Sequence, residues 1–393
     1  MLQTAYGLAT LFLSLLGVFL SSWIFITAPT LLLYPLSVGA PEVSPWLMGL
    51  SAIAGILALG IRATGLKWVV LILSGIGLVL SAAPLSQLPA TVQRTETTIA
   101  TTLGELSQRP ALVQSHWRSQ PFVLLDGFRG IPLQPVRVET GILFAQPAGQ
   151  PLILNVYRPA AVGIYPGVVM VHGGAWRSGS PADNEPFNRY LAAQGYTVIA
   201  VSYRLAPTHR FPTQLQDVQT ALRFIQNHAA EYEVDTGRMA IMGRSAGAQL
   251  AMLAAYQPDA FPFRAVVDYY GPVNLEKGYY DLPNPDPIDA RTVLEDFIGG
   301  APPEFPIQYQ QASPWNVVRS NLPPTLLIYG DRDHVVQSKF GRQLADRLRS
   351  FNNTALFIPI PWAEHAFDAV FNGVSNQLAL YYTERFLAWA LYP

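Results

Sequence analysis

A serine suited to nucleophilic chemistry lies in the pentapeptide Gly-Arg-Ser-Ala-Gly at residues 243–247. An apolar run at 239–242 precedes it, and an apolar stretch of helical composition follows at 246–256. Small residues on both sides of Ser245 allow a tight strand-to-helix turn that lifts the hydroxyl clear of a sheet. The pattern therefore predicts a serine nucleophile, and the alternative is an ordinary serine at the N-cap of a helix.

A second motif, His-Gly-Gly-Ala-Trp at 172–176, follows an earlier apolar run. Paired glycines allow backbone N–H groups to turn toward a developing oxyanion. We expect the oxyanion hole to combine the amide of Ala246 with amides of this loop. Gly174 and Ala175 are the preferred loop donors, and Gly173 lies beside them. Together the two motifs indicate acyl transfer to water.

Further short segments carry a likeness to a known family. They are Tyr-Arg-Leu-Ala-Pro at 203–207, the stretch 212–217, and Ala-Ser-Pro at 312–314. With the pentapeptide around Ser245, they make the chain resemble the alpha/beta-hydrolase esterases related to hormone-sensitive lipase and to bacterial feruloyl and acetyl esterases. The resemblance implies the alpha/beta-hydrolase fold, and it gives the segment 203–207 and Asp217 structural roles around the site.

This likeness covers about residues 152–391, and two positions depart from the family's pattern. Many relatives have an acidic or polar residue where Arg244 stands, and a second glycine where Ala248 stands. Both departures leave Ser245 in place, so they bear on the subfamily rather than on the nucleophile.

The resemblance also implies the chain order serine, acid, histidine, with the last two on loops after late strands. The apolar run 325–329 leads into Asp333, which matches the family's G-x-x-D spacing, and Asp331 is the alternative acid. The next run, 355–360, leads into His365. We therefore expect His365 to accept the proton of the serine and to deliver it to the leaving group.

The other histidines have no place in this arrangement. We expect His172 to brace the oxyanion loop, and His334, beside the acid, to point away toward the surface. His116, His209 and His228 lie outside the expected loops.

The excursion after Tyr270 is rich in Pro, Tyr and Asp and could form a lid. Asp281, Asp286 and Asp289 lack the glycine-centred spacing of a calcium loop, so a solvated loop is expected there. No metal and no cofactor is needed for the chemistry. Cysteine is absent, which excludes disulfides and thiolate sites.

Short apolar runs alternate with amphipathic stretches after the first third of the chain, as in an α/β fold with a mostly parallel sheet and helices on both faces. The leading runs 136–144 and 152–157 have no helix between them, so they are expected to pair antiparallel at the sheet edge. The other expected strands are 166–171, 196–202, 239–242, 265–270, 325–329 and 355–360. The expected helices are 214–230, 246–256, 339–350 and 375–391.

Composition points to lipid rather than nucleic acid. Only 13% of the 393 residues are charged while 50% are hydrophobic, and the formal net charge is -1. The low charged fraction indicates that part of the chain lies in a membrane. The absence of a basic surplus argues against a nucleic-acid partner.

Three apolar runs, at 4–26, 43–61 and 68–85, are each near the length that spans a bilayer. The alternatives are a cleaved signal peptide for the first run and a buried hairpin for the other two. We expect three transmembrane helices within residues 1–88, a connector at 89–130 and a catalytic domain at 131–393. Within the connector, residues 90–106 are expected to form a threonine-rich helix that lies on the membrane face or on the following domain.

Arg62 and Lys67 lie in the short loop between the second and third runs. The positive-inside rule makes that loop cytoplasmic, and the N-terminus with it. The protein is therefore expected to be a multi-pass integral membrane protein in contact with the lipid bilayer, with the catalytic domain on the extracytoplasmic side.

The preferred function is hydrolysis of a small-molecule carboxylic ester by Ser245, Asp333 and His365 through an acyl-enzyme. The alternative enzyme is an amide hydrolase of the aryl-formamidase or prolyl-peptidase type. The alternative of another class is a binding domain without catalysis on the same scaffold.

Overall fold

The computed structural model describes residues 2–104 and 117–392, and its centre is an eight-stranded sheet in the order β1-β2-β4-β3-β5-β6-β7-β8. Five of these strands are buried along almost their whole length, because helices cover both faces of the sheet. The strands are β1 Val136–Ala145, β2 Leu152–Pro159, β3 Tyr165–Val171, β4 Thr197–Val201, β5 Val234–Arg244, β6 Ala265–Tyr269, β7 Thr325–Gly330 and β8 Ala355–Ile360.

Strands β1 and β2 pair antiparallel at one edge, and β2 pairs antiparallel with β4. All other neighbouring strands are parallel, from β4 through β3 to β8 at the opposite edge. Parallel strands bring the loops after β3, β5, β7 and β8 to one side of the sheet. The predicted alpha/beta-hydrolase fold and its antiparallel edge are confirmed.

The helices of this domain cover the sheet or form an insertion between β6 and β7. The first helix after Ser245 is buried at every position, because it runs through the centre of the molecule. The helices are α5 Leu124–Arg129, α6 Glu185–Ala193, α7 Thr213–Asn227, α8 Ala246–Tyr256, α9 Leu275–Tyr280, α10 Ala290–Ile298, α11 Pro306–Gln311, α12 Ser338–Ser350 and α13 Val374–Leu391.

Four helices form the N-terminal region: α1 Leu2–Ser22, α2 Tyr34–Glu42, α3 Ser44–Ala58 and α4 Thr64–Leu103. Two of them, α1 and α4, are long and apolar enough to cross a membrane, and α2 with α3 would make a third span bent by 80°. The expected second span is thus a bent pair, since α3 alone has 15 residues and a span needs about 20.

Helices α1, α3 and α4 pack tightly at small residues. A Cβ on Gly77 of α4 would lie 2.6 Å from the Ser51 hydroxyl oxygen, and one on Gly17 of α1 would lie 3.0 Å from it. Large apolar side chains point outward instead, among them Phe12, Ile56 and Val79, each more than half exposed. Small residues inside and apolar residues outside are the arrangement expected for helices in lipid.

The threonine-rich helix expected within the connector is not a separate element. Helix α4 runs through Pro84 and Pro89 without a break and ends at Leu103. Its second half packs on the hydrolase domain, where Ile99 joins the main core and the Tyr382 hydroxyl donates to the Val92 carbonyl at 3.4 Å. The helix expected at about residues 90–106 is thus present and lies on the following domain, but it continues α4 because its apolar positions continue the packing face of that helix.

Candidate active site

Ser245 occupies a strained turn between β5 and α8, with φ 50° and ψ −124°. A Cβ on Gly243 would lie 2.2 Å from the carbonyl oxygen of Gly247, and one on Gly247 would lie 2.2 Å from the carbonyl oxygen of His172. Both distances are far below contact, so neither position tolerates a side chain. The two glycines therefore permit the close approach that holds Ser245 at a positive φ.

The three predicted polar side chains form one hydrogen-bonded row. His365 Nε2 lies 2.9 Å from Ser245 Oγ, and His365 Nδ1 lies 2.7 Å from Asp333 Oδ2. Asp333 Oδ1 accepts the backbone N–H groups of Val335 and Val336, at 2.8 and 2.7 Å. These bonds fix the carboxylate, which in turn fixes the orientation of the imidazole.

The alternative acid, Asp331, lies outside this row. Its carboxylate accepts the hydroxyl of Ser338 at 2.9 Å, and its side chain is exposed. Asp331 follows β7 directly, whereas the turn after Gly330 carries Asp333 back toward the imidazole. The geometry thus favours Asp333 over Asp331 as the partner of His365.

The loop after β3 lies against the turn that carries Ser245. A Cβ on Gly173 would lie 2.9 Å from the Arg244 carbonyl oxygen and 3.4 Å from Ser245 Cβ. Gly174 and Ala175 continue the loop with φ 105° and 53°. All the expected oxyanion residues, Gly173, Gly174, Ala175 and Ala246, line the same cavity as Ser245.

His172 supports this loop from behind. Its Nδ1 lies 2.8 Å from the Gly173 carbonyl oxygen, and its ring stacks on Tyr203 with centroids 4.2 Å apart. The Tyr203 hydroxyl donates to the His172 carbonyl at 3.0 Å. Burial lowers the pKa of His172, so the ring is neutral at pH 7. These contacts match the expected bracing position.

The segment after β4 is fixed by an ion pair. Arg204 donates to both carboxylate oxygens of Asp217, at 2.8 Å from Nε and 2.6 Å from Nη2. The backbone N–H of Arg204 donates to the same group at 2.9 Å. Ala206 N donates to the Trp176 carbonyl at 2.9 Å, which ties this segment to the oxyanion loop.

A buried polar cluster beneath the nucleophile was not predicted. Arg244 pairs with Asp368, and the Tyr270 hydroxyl donates to the other oxygen of that carboxylate. The guanidinium also lies 4.3 Å from the centroid of Phe187, and the Tyr270 ring lies 4.5 Å from the His365 ring. The sequence marked Arg244 as a departure from the family but gave no signal for its partner.

A second unpredicted cluster contains His334, which was expected at the surface. Its Nδ1 lies 2.9 Å from Glu364 Oε2, and its Nε2 lies 3.1 Å from Thr27 Oγ1 in the segment between α1 and α2. Glu364 Oε1 accepts the His334 backbone N–H at 2.6 Å and the Tyr34 hydroxyl at 3.3 Å. The surface expectation was wrong because the N-terminal region covers this loop.

The other residues singled out in the sequence make contacts outside the hydrogen-bonded row of Ser245, His365 and Asp333. His209 contacts Gln150 and His228 contacts the Phe224 carbonyl, while His116 lies outside the described residues. In the excursion after β6, Asp281 pairs with Lys339, Asp286 accepts the Ala290 N–H, and Asp289 caps α10.

A partly open cavity of about 680 Å³ lies over the Ser245 hydroxyl, and its wall is mainly apolar. This volume falls in the range of small-molecule sites. The insertion between β6 and β7 supplies one side of it, and Leu31 and Tyr34 of the N-terminal region supply another. Its apolar lining includes Leu31, Val293, Leu294, Val335, Val336 and Phe340.

Comparison with known proteins gives a consistent set of relatives. The family described as BD-FAE matches residues 154–348. The probable carboxylic ester hydrolase LipM of Mycobacterium tuberculosis is 29% identical over 240 residues, covering 58% of this chain and 54% of LipM. Esterase LipC of the same organism is 31% identical over 237 residues, covering 55% and 57%. The chain thus spans about half the length of the curated relatives it matches.

Among solved structures, the esterase Est2 of Thermogutta terrifontis aligns with a TM-score of 0.53 and 24% identity, covering 65% of this chain and 92% of that one. This likeness concerns the fold. Taken with the BD-FAE match and the ester hydrolase relatives, it shows that the chain has the alpha/beta-hydrolase fold and is similar to esterases.

Proposed function

We propose that the chain is a membrane-anchored carboxylic-ester hydrolase in which Ser245 is the nucleophile, His365 the general base and acid, and Asp333 the residue that orients the histidine. The observation that carries this proposal is the hydrogen-bonded row from Ser245 Oγ to Asp333 Oδ2, which opens into an apolar cavity. The names of the curated relatives, carboxylic ester hydrolase and esterase, support the same reaction.

In the first half of the reaction, Ser245 Oγ attacks the ester carbonyl carbon while its proton passes to His365 Nε2. The carbonyl electron pair moves onto oxygen and gives a tetrahedral oxyanion. Backbone amides of Gly173, Gly174, Ala175 and Ala246 are the candidate donors to that oxygen. The intermediate collapses, the alcohol leaves with the proton from His365, and an acyl ester remains on Ser245.

In the second half, water enters and gives a proton to His365 Nε2 as its oxygen adds to the acyl carbon. Collapse of this intermediate breaks the bond to Ser245, releases the carboxylic acid and returns the proton to the serine oxygen. Asp333 stays ionised and stabilises the imidazolium in both halves. All of these steps use groups of the chain and water.

Two measurements test this proposal on the full chain in detergent. A fluorophosphonate probe should label the wild-type protein and should not label Ser245→Ala. Hydrolysis of short p-nitrophenyl esters should exceed that of formanilide and of aminoacyl-proline amides. Faster cleavage of either amide would reassign the enzyme to amide hydrolysis, and a wild type that is neither labelled nor active would point to a binding domain.

We infer that the hydrolase domain lies on the extracytoplasmic side of the membrane. The Tyr6 hydroxyl donates to the Leu57 carbonyl at 2.6 Å, which supports a common side for the start of α1 and the loop that carries Arg62. The hydrolase domain follows the opposite end of α4. Protease added outside cells with a permeable outer layer should digest the domain, and complete protection would reverse this orientation.

A further inference from the structure

The N-terminal region forms part of the wall of the cavity that contains Ser245. Leu31 and Tyr34, from the segment between α1 and α2 and the first turn of α2, line it together with His365. This segment is fixed to the catalytic loops, since Arg332 donates to the Phe25 carbonyl at 2.6 Å and Tyr34 donates to Glu364. The membrane region is therefore a structural part of the candidate active site.

The same segment presents apolar side chains outward. Leu31 is 63% exposed although it lines the cavity, so it lies at the rim, and Leu32 is 88% exposed. Phe25 and Ile26 are about half exposed just beyond the end of α1. A cluster of exposed apolar residues that continues a membrane-spanning helix fits the acyl region of a bilayer rather than water.

The hydrolase domain adds a second apolar surface next to α3. Leu124, Leu125 and Phe128 of α5 are exposed. Trp46 at the start of α3 lies 4.8 Å from the Phe128 ring, and its indole N–H donates to the Gly127 carbonyl at 3.0 Å. Tryptophan in this half-polar position is typical of the membrane interface. The lipid surface would then meet the hydrolase domain at α5 and at the rim of the cavity.

Charge on the cavity wall disfavours an anionic substrate. Of the described residues that line the cavity, Arg177 pairs with Asp296 at 3.1 Å and Arg244 pairs with Asp368. Asp183 also lines it and adds negative charge, while Asp281 is neutralised by its pair with Lys339. A phosphate group would need a cation that is not already neutralised, so the wall suits a neutral ester.

We propose that this cavity takes neutral esters with a long acyl chain directly from the bilayer, past the rim formed by Leu31. The inference rests on the proposed ester hydrolysis and adds the substrate class and its route. The acyl chain would lie along the apolar wall formed by residues such as Val335, Val336 and Phe340, with its carbonyl at Ser245. Water-soluble esters would enter without using the lipid-facing rim.

The test uses the full chain reconstituted in phosphatidylcholine vesicles. Two substrates share one chromophore: p-nitrophenyl palmitate, which resides in the bilayer, and p-nitrophenyl acetate, which is water-soluble. Leu31→Gln should lower the palmitate-to-acetate rate ratio on the order of tenfold, the scale of a lost apolar contact in a binding site. Leu143→Gln is the matched control, because Leu143 is 51% exposed on the edge strand β1, far from the cavity. It should leave the ratio unchanged.

Each outcome decides the inference. An unchanged ratio in Leu31→Gln, or a wild type that cleaves acetate but not palmitate in vesicles, would overturn the route from the bilayer. Release of fatty acid from the phosphatidylcholine matrix as fast as from palmitate would overturn the neutral substrate class. If the wild type hydrolyses neither ester and is not labelled by the fluorophosphonate probe, the proposed function fails, and this inference fails with it.

Discussion

Two carboxylate–imidazole pairs lie side by side at the ends of β7 and β8. Asp333 bonds to His365, and the next residue, His334, bonds back to Glu364, so that adjacent residues of the two loops are cross-paired. Each imidazole then meets a hydroxyl through Nε2: that of Ser245 at 2.9 Å in one pair and that of Thr27 at 3.1 Å in the other.

The two rows differ in what surrounds the hydroxyl. Ser245 lies on a turn with φ 50°, against the loop of Gly173 and inside the cavity. Thr27 lies in an irregular segment, and neither it nor His334 lines the cavity. A hydroxyl, an imidazole and a carboxylate in line therefore do not make a catalytic site without space for substrate and amides for the oxyanion.

Removal of the two hydroxyls should give the largest difference in kcat between the two rows. Ser245→Ala should lower kcat by at least about 10⁴-fold, because the Ser245 hydroxyl forms the acyl ester in the proposed mechanism. Thr27→Ala should leave kcat within about twofold, since Thr27 only contacts the back of a catalytic loop. Hydrolysis of a short p-nitrophenyl ester measures both. A loss of activity in Thr27→Ala close to that of Ser245→Ala would abolish the distinction between the two rows.

The two carboxylates should differ next. Asp333→Asn should lower kcat by about 10⁴-fold, because the amide favours the wrong imidazole tautomer. Glu364→Gln should lower it by about tenfold at most, while it lowers the thermal midpoint by weakening the bonds to His334 and Tyr34. Asp331→Asn is the control for the exposed alternative acid and should change neither quantity. A larger effect at Asp331 than at Asp333 would exchange their roles.

The first row was predictable from sequence, whereas the second was not. Hydrophobic runs marked the strands within a few residues, and the resemblance to the alpha/beta-hydrolase esterases implied the chain order serine, acid, histidine that selected Asp333 and His365 as partners of Ser245. Glycine spacing also indicated the turn and the loop at Gly173. These signals are local, because each depends on a few neighbouring residues.

What the sequence did not predict depends on contacts between distant parts of the chain. Thr27 and His334 are 307 positions apart, and Arg244 and Asp368 are 124 positions apart. Single polar pairs of this kind leave no periodic pattern. The 40-residue length of α4 was missed for a related reason. The third apolar run was expected to end at residue 85, but packing against the hydrolase domain keeps the helix continuous through Pro84 and Pro89.

A third buried carboxylate, Asp268 on β6, extends the comparison because it bonds to a tyrosine instead of a histidine. The Tyr329 hydroxyl lies 2.7 Å from Asp268 Oδ2 and 2.6 Å from the Gly271 carbonyl oxygen. The hydroxyl has one proton, and the carbonyl can only accept it, so the carboxyl should supply the other proton. Burial raises the pKa of Asp268 to about 7, in agreement with this arrangement.

The folded-state pKa of Asp268 lies above the ordinary value of 3.8, so its contribution to stability is complete below that pH and is lost as pH rises through about 7. Asp268→Asn has a neutral side chain at every pH. It keeps the bond between residue 268 and the Tyr329 hydroxyl and the bond from that hydroxyl to the Gly271 carbonyl. Its thermal midpoint should therefore exceed that of the wild type by an amount that grows from about pH 5 to pH 8. The corresponding difference in the free energy of unfolding should reach up to about 4 kcal/mol. A difference that shrinks over this range would show that Asp268 is ionised in the folded protein.

The smallest effect should come from His334, whose pair with Glu364 fixes the N-terminal region to the catalytic loop. The hydrogen bond that His334 donates to Glu364 raises the pKa of His334 above 6.5, and burial of the ring opposes this shift. Its stabilisation is therefore complete below about pH 6.5 and is lost as pH rises through the raised value. The neutral ring keeps a bond to Glu364 through Nδ1–H and can still accept from Thr27, so only the charge-assisted part disappears.

The thermal midpoint of the wild type should fall by about 2 °C or less relative to His334→Asn between pH 6 and pH 8. An equal fall in both proteins would mean that another group titrates at this contact, and a rise in the wild type would mean that the charged imidazole opposes docking.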